Sequence, residues 1–375
     1  MLQELINLRR TLHSIPETAQ EEFRTKETVL NFTRQCPPDL TLELGSTALA
    51  LVFNGNVSGN TIMFRCEMDA LPLHESNTFD YRSQHQGKAH LCGHDGHMAI
   101  MLGFAQYLYK NKPQKGKIVL LFQAAEENGE GAKDIIKNPE FEKIKPNYIF
   151  AMHNVPGFEK ACIVVKKGVF TPSVISIIIK LEGKTSHAAE PHKGINPTSA
   201  LCEIIQKTLL LNSTSEIPES FVLITPIYTQ IGSMAYGTSA GYGETHLTIR
   251  TFNNALMKEV LKETEHIVDT CCINKNITHQ ISYTQEFKAN ENDSETVEFI
   301  KEAALKSHLT IIEKETPFPW GEDFGLFTSH FKGAMFGMGA GINSAALHNP
   351  DYDFPDDIIE NAINVYKNIL NVVLS

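Results

Sequence analysis

No apolar run of 18 residues occurs anywhere in the 375-residue sequence, so nothing in it reads as a membrane span. There is no block of lysine and arginine either. The 33 basic side chains are outnumbered by 44 acidic ones, and a formal net charge of −11 leaves no electrostatic footprint for nucleic acid. The seven cysteines are scattered and odd in number, unlike a secreted disulfide framework, and fit free thiols in a reducing cytoplasm. The first twenty residues hold Glu4, Arg9, Arg10 and Glu17 and no apolar signal core, so a cytoplasmic location is expected. Disorder is disfavoured, because 42% apolar against 21% charged residues can bury a sizeable core. No internal repeat or low-complexity tract is present.

What is there alternates in period. Leu2 to His13 and Glu21 to Phe32 read as helices separated by Pro16. Thr61 to Cys66, Lys117 to Gln123 and Tyr148 to Met152 are apolar runs of strand length. Between the first two, His97 to Tyr109 forms one apolar helical stripe. This alternation predicts an α/β main domain with a mostly parallel sheet flanked by helices. From Val174 to Phe287 the order becomes β-α-β-β-α-β, that of a ferredoxin-like α+β unit. Helical and strand signals then resume, ending in a helix from Pro355 to Leu374 with Pro355 in its first turn. The domains predicted are 1–170, the first part of a metal-binding catalytic domain, 171–288, an inserted dimerisation or lid domain, and 289–375, the second catalytic part.

Ligand-type residues gather where strands end. Cys92-Gly93-His94-Asp95-Gly96-His97 precedes a helix, and its glycines let Cys92 and His94 point the same way from an extended loop. Glu126-Glu127 follows the strand ending at Gln123, His153 follows the one ending at Met152, and Asp69 follows the one ending at Cys66. In open α/β sheets ligands bind beyond the carboxyl ends of the strands. Any one of these residues alone is more often packing or solvated surface than a ligand. Their joint placement points instead to a site of thiolate, imidazole and carboxylate, which suits zinc, manganese, cobalt or nickel rather than calcium or magnesium.

The run Cys92 to His97 resembles the amidohydrolase branch of the aminoacylase/carboxypeptidase metallopeptidase family. That branch includes hippurate hydrolases, N-acyl-amino-acid amidohydrolases, auxin-conjugate hydrolases and N-acetyldiaminopimelate deacetylases. The resemblance takes in Leu8-Arg9-Arg10 to Glu17, Met68 to Pro72, Glu126-Glu127, Met152-His153-Asn154, Gly183 to Pro197, Glu322-Asp323-Phe324 and Leu347 to Pro350. It implies two divalent transition-metal ions (Zn, Mn, Ni or Co) per subunit, held by Cys92, His94, Glu127, His153 and His348, with Cys92 shared between them. It further implies Glu126 as general base to a metal-activated water and Asp69 as the carboxylate that fixes the tautomer of His94. His187 would stabilise the oxyanion.

Arg250 is a candidate grip for a substrate carboxylate, and His97 either a partner of the ligands or a residue that starts the helix. The expected substrates are small N-acetyl or N-benzoyl amino acids, cleaved to a carboxylic acid and a free amino acid. An N-acetyldiaminopimelate deacetylase or a dipeptidase is the alternative. A homodimer through the inserted domain is expected.

Three positions depart from the family pattern: Glu67 replaces an aspartate, Asn196-Pro197 replaces Asp-Pro, and Gly237-Thr238-Ser239-Ala240 replaces an Asn-Val-Ile-Pro run. The last removes an amide expected near the substrate. Two rival readings are weaker. A thiol nucleophile, Cys92 with His94 as base, leaves Glu126, Glu127, His153 and His348 without a task. A binding protein that lost its metal would not need every ligand position filled.

Overall fold

The longest apolar runs become the middle of a sheet. In a computed structural model, which describes residues 2–213 and 220–374, Val57–Glu67 lies parallel to both Lys115–Gln123 and Tyr148–Pro156, and Lys332–Gly341 lies parallel to the latter. A strand covered on both faces needs a near-continuous hydrophobic run, and residues 118–123 are accordingly all buried. The eight-stranded order is Leu40–Glu43, Leu49–Asn54, Lys115–Gln123, Val57–Glu67, Tyr148–Pro156, Lys332–Gly341, Ile163–Val165, Ile311–Glu313. The first two strands run antiparallel to their neighbours, as does Ile163–Val165 against Lys332–Gly341. The mostly parallel sheet with flanking helices is as expected.

Two boundaries differ in ways that matter for the site. The strand expected to stop at Met152 continues to Pro156, so His153 lies inside it. The helix expected from His97 starts at His94 and runs to Lys110, so His94 is its first residue and not part of an extended loop. The cause is Gly93, whose φ of 100° turns the chain in a conformation that only glycine adopts without cost. A side chain there would also collide with Asn154. At the other end Pro355 stands before a 3₁₀ turn, Asp356–Ile358, and the final helix is Ile359–Leu374 rather than starting at the proline.

The chain divides into two compact units: Met1–Phe170, Asn290–Pro317 and Glu322–Ser375 in one, and Thr171–Ala289 with Phe318–Gly321 in the other. The smaller unit has an antiparallel sheet in the order Val222–Ile231, Tyr242–Thr251, Ser173–Glu182, Thr278–Phe287. Helices Thr198–Leu209 and Asn254–Cys272 close its core, which includes Ile177, Ile179, Leu201, Ile204, Leu247 and Val268. Asn253 caps the second helix by accepting the N–H groups of Ala255 and Leu256. Cys271 and Cys272 are buried in that helix, and all seven cysteines are free. Trp320 packs against Phe318 with the two rings tilted at 31°. Among the described residues no helix is long and apolar enough to cross a membrane.

The larger unit buries a charged knot behind the His94–Lys110 helix. Arg9 reaches Asp353 at 2.7 Å and Asp95 at 3.2 Å, while His13 places Nδ1 2.9 Å from Asp95 and Nε2 3.1 Å from Glu75. Both ring nitrogens of His13 face carboxylates, which can only accept, so the ring is held as imidazolium. Burial pulls its pKa down, but Asp95 and then Glu75 outweigh burial and Arg9 and push it up to about 9. A folded pKa above the unfolded value of about 6.5 gives stability that is complete below pH 6.5, declines as pH rises, and is gone above about 9. The span amounts to about 3 kcal/mol. His13→Gln should therefore flatten the fall of Tm expected of the wild type between pH 6.5 and 9. Parallel Tm curves for the two proteins would refute the assignment.

Candidate active site

Parallel strands put their carboxyl ends on one edge, and register sets the height of each residue there. Glu67 is paired with Gln123 and Arg65 with Ala151, so His153, two residues beyond Ala151, stands level with Glu67. The loops after Glu67 and Gln123 carry Asp69 and Glu126-Glu127 to the same edge, and the turn at Gly93 adds Cys92 and His94. His348 enters on a separate loop, with a left-handed φ of 67° and its N–H on the carbonyl of Leu91 at 2.8 Å.

These side chains converge. Cys92, His94 and His153 form one group, and Cys92, Glu127 and His348 another, with ligand atoms within 4.8 Å of one another in each. Cys92 belongs to both. Cys92 Sγ is 3.4 Å from His153 Nε2, His94 Nε2 is 3.9 Å from Glu127 Oε1, and His348 Nε2 is 3.8 Å from Glu127 Oε2. Ligands about 2.0–2.3 Å from a tetrahedral metal sit roughly 3.3–3.8 Å from each other. His94 Nε2 and Glu127 Oε1 are moreover buried without a hydrogen-bond partner. Buried polar atoms left unpaired are costly unless something binds them, so this donor set fits metal ions.

Hydrogen bonds behind these groups select tautomers. His94 Nδ1 lies 2.8 Å from the backbone carbonyl of Asp69, and His153 Nδ1 lies 2.9 Å from that of Asn154. A carbonyl only accepts, so each Nδ1 carries the hydrogen and each Nε2 presents a lone pair toward the cluster. Asp69 thus meets His94 Nδ1 through its main-chain carbonyl, with its carboxylate Oδ1 3.6 Å from the same nitrogen. Its Oδ2 accepts the N–H of Glu127 at 2.9 Å. His97 is the partner residue anticipated for it: its ring bridges Glu67 at 2.6 Å and Asn154 at 2.5 Å.

Charge around the cluster is mostly negative. Burial, then the charges of Glu322, Glu127 and Asp323, push Glu126 well above the usual carboxylate range against the pull of Arg65. Burial pushes Glu127 up to about 7 even though His94 opposes it. The Cys92 thiol is raised by burial and then by Glu127 and Glu126. A nucleophilic cysteine needs the opposite environment, so the thiol-enzyme reading loses its electrostatic basis. For His94, burial lowers the pKa, but hydrogen bonding to Asp69 and the nearby carboxylates raise it to about 10. Positive charge is favoured at that position.

Sequence reasoning missed Arg65. Fully buried, it ion-pairs with Glu67, donates to Glu322 at 2.9 Å, Asp323 at 2.6 Å and Gln123 at 2.9 Å, and braces the carboxylates behind Glu126. One cation inside the apolar run Ile62-Met63-Phe64-Arg65-Cys66 was the available signal. Glu67, one methylene longer than the family's aspartate, spans Arg65 and His97.

His187 and Arg250 lie in the smaller unit. His187 is exposed on a ribbon in which Ser186–His187 pairs with Thr238–Ser239, and its Nδ1 accepts the N–H of Ala189 at 3.0 Å. The neutral ring therefore carries its hydrogen on Nε2. Asn196 donates to Ser239 Oγ at 3.0 Å, so two of the departures from the family pattern touch each other. Arg250 is half-buried near the end of its strand, opposite Leu223 and Val174.

A thiol, imidazoles and carboxylates gathered at the carboxyl edge of a parallel sheet make this a metal-dependent amidohydrolase. The chain belongs to peptidase family M20/M25/M40, whose profile matches residues 63–372. That is the family its motifs resemble. It is 32% identical over 377 residues to the N-acetyldiaminopimelate deacetylase of Bacillus subtilis (strain 168), covering 99% of each chain. It is 29% identical over 377 residues to the protein of the same name from Listeria innocua, again covering 99% of each. Its fold matches a dinuclear metal-binding peptidase of the M20 family from Bacillus subtilis, with a TM-score of 0.83, 24% identity, and 100% and 98% of the two chains covered.

Proposed function

We propose that the protein removes the acetyl group from N-acetyldiaminopimelate, giving acetate and the free diamino acid. The observation that carries the chemistry is the convergence of Cys92, His94, Glu127, His153 and His348 beside Glu126. Similarity over nearly the whole length to deacetylases of that name supports the substrate. It favours the alternative drawn from the sequence over a general hydrolase of N-acetyl or N-benzoyl amino acids.

Cys92, His94, Glu127, His153 and His348 would hold two divalent ions of zinc, manganese, nickel or cobalt, with Cys92 common to both. Ions bound there supply Lewis acidity and make hydroxide available near neutral pH. Glu126 takes the proton of the attacking water and returns it to the leaving nitrogen. Its raised pKa suits the second half of that task, since a carboxylate with an ordinary pKa holds a proton too weakly to deliver it. Glu127 and Glu126 divide labour because both lie near His94, but only Glu127 also groups with Cys92 and His348, while Glu126 groups with Glu322 and Asp323.

His187 donates from Nε2 to the developing oxyanion, and Arg250 grips a substrate carboxylate. The smaller unit dimerises through an exposed sheet edge, since unpaired strand edges invite pairing. Its two edge strands are Val222–Ile231 and Thr278–Phe287.

A substrate panel tests the reading. N-acetyldiaminopimelate, N-acetyl and N-benzoyl amino acids and dipeptides are assayed with each metal and with chelator. The expected result is a kcat/KM for N-acetyldiaminopimelate at least about tenfold above the rest, a difference of about 1.4 kcal/mol, abolished by chelator. A preference for benzoyl amino acids or dipeptides overturns the substrate. Turnover that survives chelation overturns the metal.

A further inference from the structure

The Glu126-Glu127 pair sits on a loop with an unusual backbone. Ala125, just before Glu126, has φ of 54°, a left-handed conformation that a residue with a side chain adopts only when held there. Its N–H is bonded to Glu22 Oε1 at 2.9 Å, and Glu22 is fully buried at the start of the Phe23–Thr33 helix. The same oxygen accepts the N–H of Gln20, also at 2.9 Å, and Gln20 is left-handed too, at φ 67°. One carboxylate oxygen thus ties two strained turns, at Gln20 and Ala125, 105 residues apart in sequence, to a single point.

Ala125 is itself buried and its carbonyl accepts the N–H of Gly131 at 2.9 Å, so Glu22 supplies the side-chain share of a loop that backbone bonds also hold. A cleft of about 500 Å³, lined by Gln20, Thr47, Ala124, Ala125, Gly131 and Ile135, lies against the loop. On the far side of Glu126 a second buried carboxylate, that of Asp69, holds the N–H of Glu127. The backbone is pinned on both sides of the residue whose side chain must be aimed.

We propose that Glu22 is a positioning residue for the amide hydrolysis: it clamps the turn at Ala125 and so sets the aim of Glu126. The proposal rests on Glu126 being the proton acceptor. Burial, and then the charge of Asp69, push the Glu22 carboxyl upward, against the pull of the Ala125 N–H that it accepts.

Two variants and two kinds of readout test it. Glu22→Ala removes the acceptor, whereas Glu22→Gln keeps an oxygen of the same reach. With metal-loaded enzyme, Glu22→Ala should lower kcat about 10²-fold, the cost of misplacing a reacting group by about 1 Å. KM and metal content should stay within about threefold, since substrate and metal contacts are untouched. Glu22→Gln should restore most of the rate. Hydrogen exchange, which needs no turnover, should show the amides of Gln20 and Ala125, the two that Glu22 accepts, losing protection in Glu22→Ala and keeping it in Glu22→Gln.

If Glu22→Ala keeps its kcat, loses KM or metal alone, or leaves that protection unchanged, the clamp is wrong. The same holds if Glu22→Gln fails to rescue. Should Glu22→Ala not fold, a Glu22→Gln variant with unprotected amides or a kcat as low as that of a misaligned enzyme overturns the proposal, and one with both intact supports it. An inactive wild type with Glu22-dependent protection would instead overturn the amidohydrolase role while leaving the clamp in place.

Discussion

Glu126→Gln is expected to keep its fold and its metal and to lose about 10²–10⁴-fold in kcat, the range that positioned acid–base groups contribute. The substitution is nearly isosteric. The amide oxygen can still accept the Asp323 N–H, which lies 3.4 Å from Glu126 Oε1. It cannot take a proton from water at neutral pH. The electrostatics add a second expectation. Glu126 sits buried among Glu322, Glu127 and Asp323, which together with burial raise its pKa, so a neutral side chain is tolerated there. Tm should therefore hold while activity disappears, which separates lost chemistry from lost structure. Rate, metal content and Tm on one preparation decide the matter. A variant that keeps substantial activity with its metal intact would remove Glu126 from the mechanism.

His187→Ala should cost about 10²–10³ in kcat with little change in metal content, as expected for removing one oxyanion donor. The argument starts from the ring itself. Ala189 N–H occupies Nδ1, so Nε2 is the donating nitrogen, and the ring stands exposed. The remaining question is whose oxyanion it meets. Mixing inactive His187→Ala with inactive Glu126→Gln answers it if subunits exchange. In a twofold dimer with the histidine acting on its partner, random exchange rebuilds one good site per heterodimer, about a quarter of wild-type activity. Exchange without recovery places the histidine in its own chain, and a monomer by light scattering removes the dimer altogether.

The site was legible where chemistry and chain order coincide. Cys92, His94, Glu126, Glu127 and His153 each stand next to an apolar run, so hydropathy alone put them at one edge of a sheet. It misled where function overrides hydropathy. Asn154 looked like the polar end of a strand after Met152, yet it is buried within the strand, donating to the Cys92 carbonyl at 3.1 Å and bonding the Tyr352 hydroxyl at 2.5 Å. Local rules are expected to fail at such places.

Arg65 and Glu22 were overlooked for the same reason, because composition assigns charged side chains to the surface. The strands Leu40–Glu43, Ile163–Val165 and Ile311–Glu313 have only three or four residues, too few for a period to register. Asp69 was found as a residue, but its division of labour was not, because a main-chain carbonyl carries no sequence signal.

Strand order has a consequence for how the molecule is made. Lys332–Gly341 lies between Tyr148–Pro156 and Ile163–Val165, although nearly the whole of the smaller unit is translated before it. Synthesis at about 5–20 residues per second leaves that slot empty for on the order of ten to thirty seconds. During this time the hydrogen-bonding edge of Tyr148–Pro156 that will receive it is bare, and His348 does not yet exist. The nascent chain thus carries an open sheet and an incomplete ligand set together, and one late strand followed by one late loop closes both.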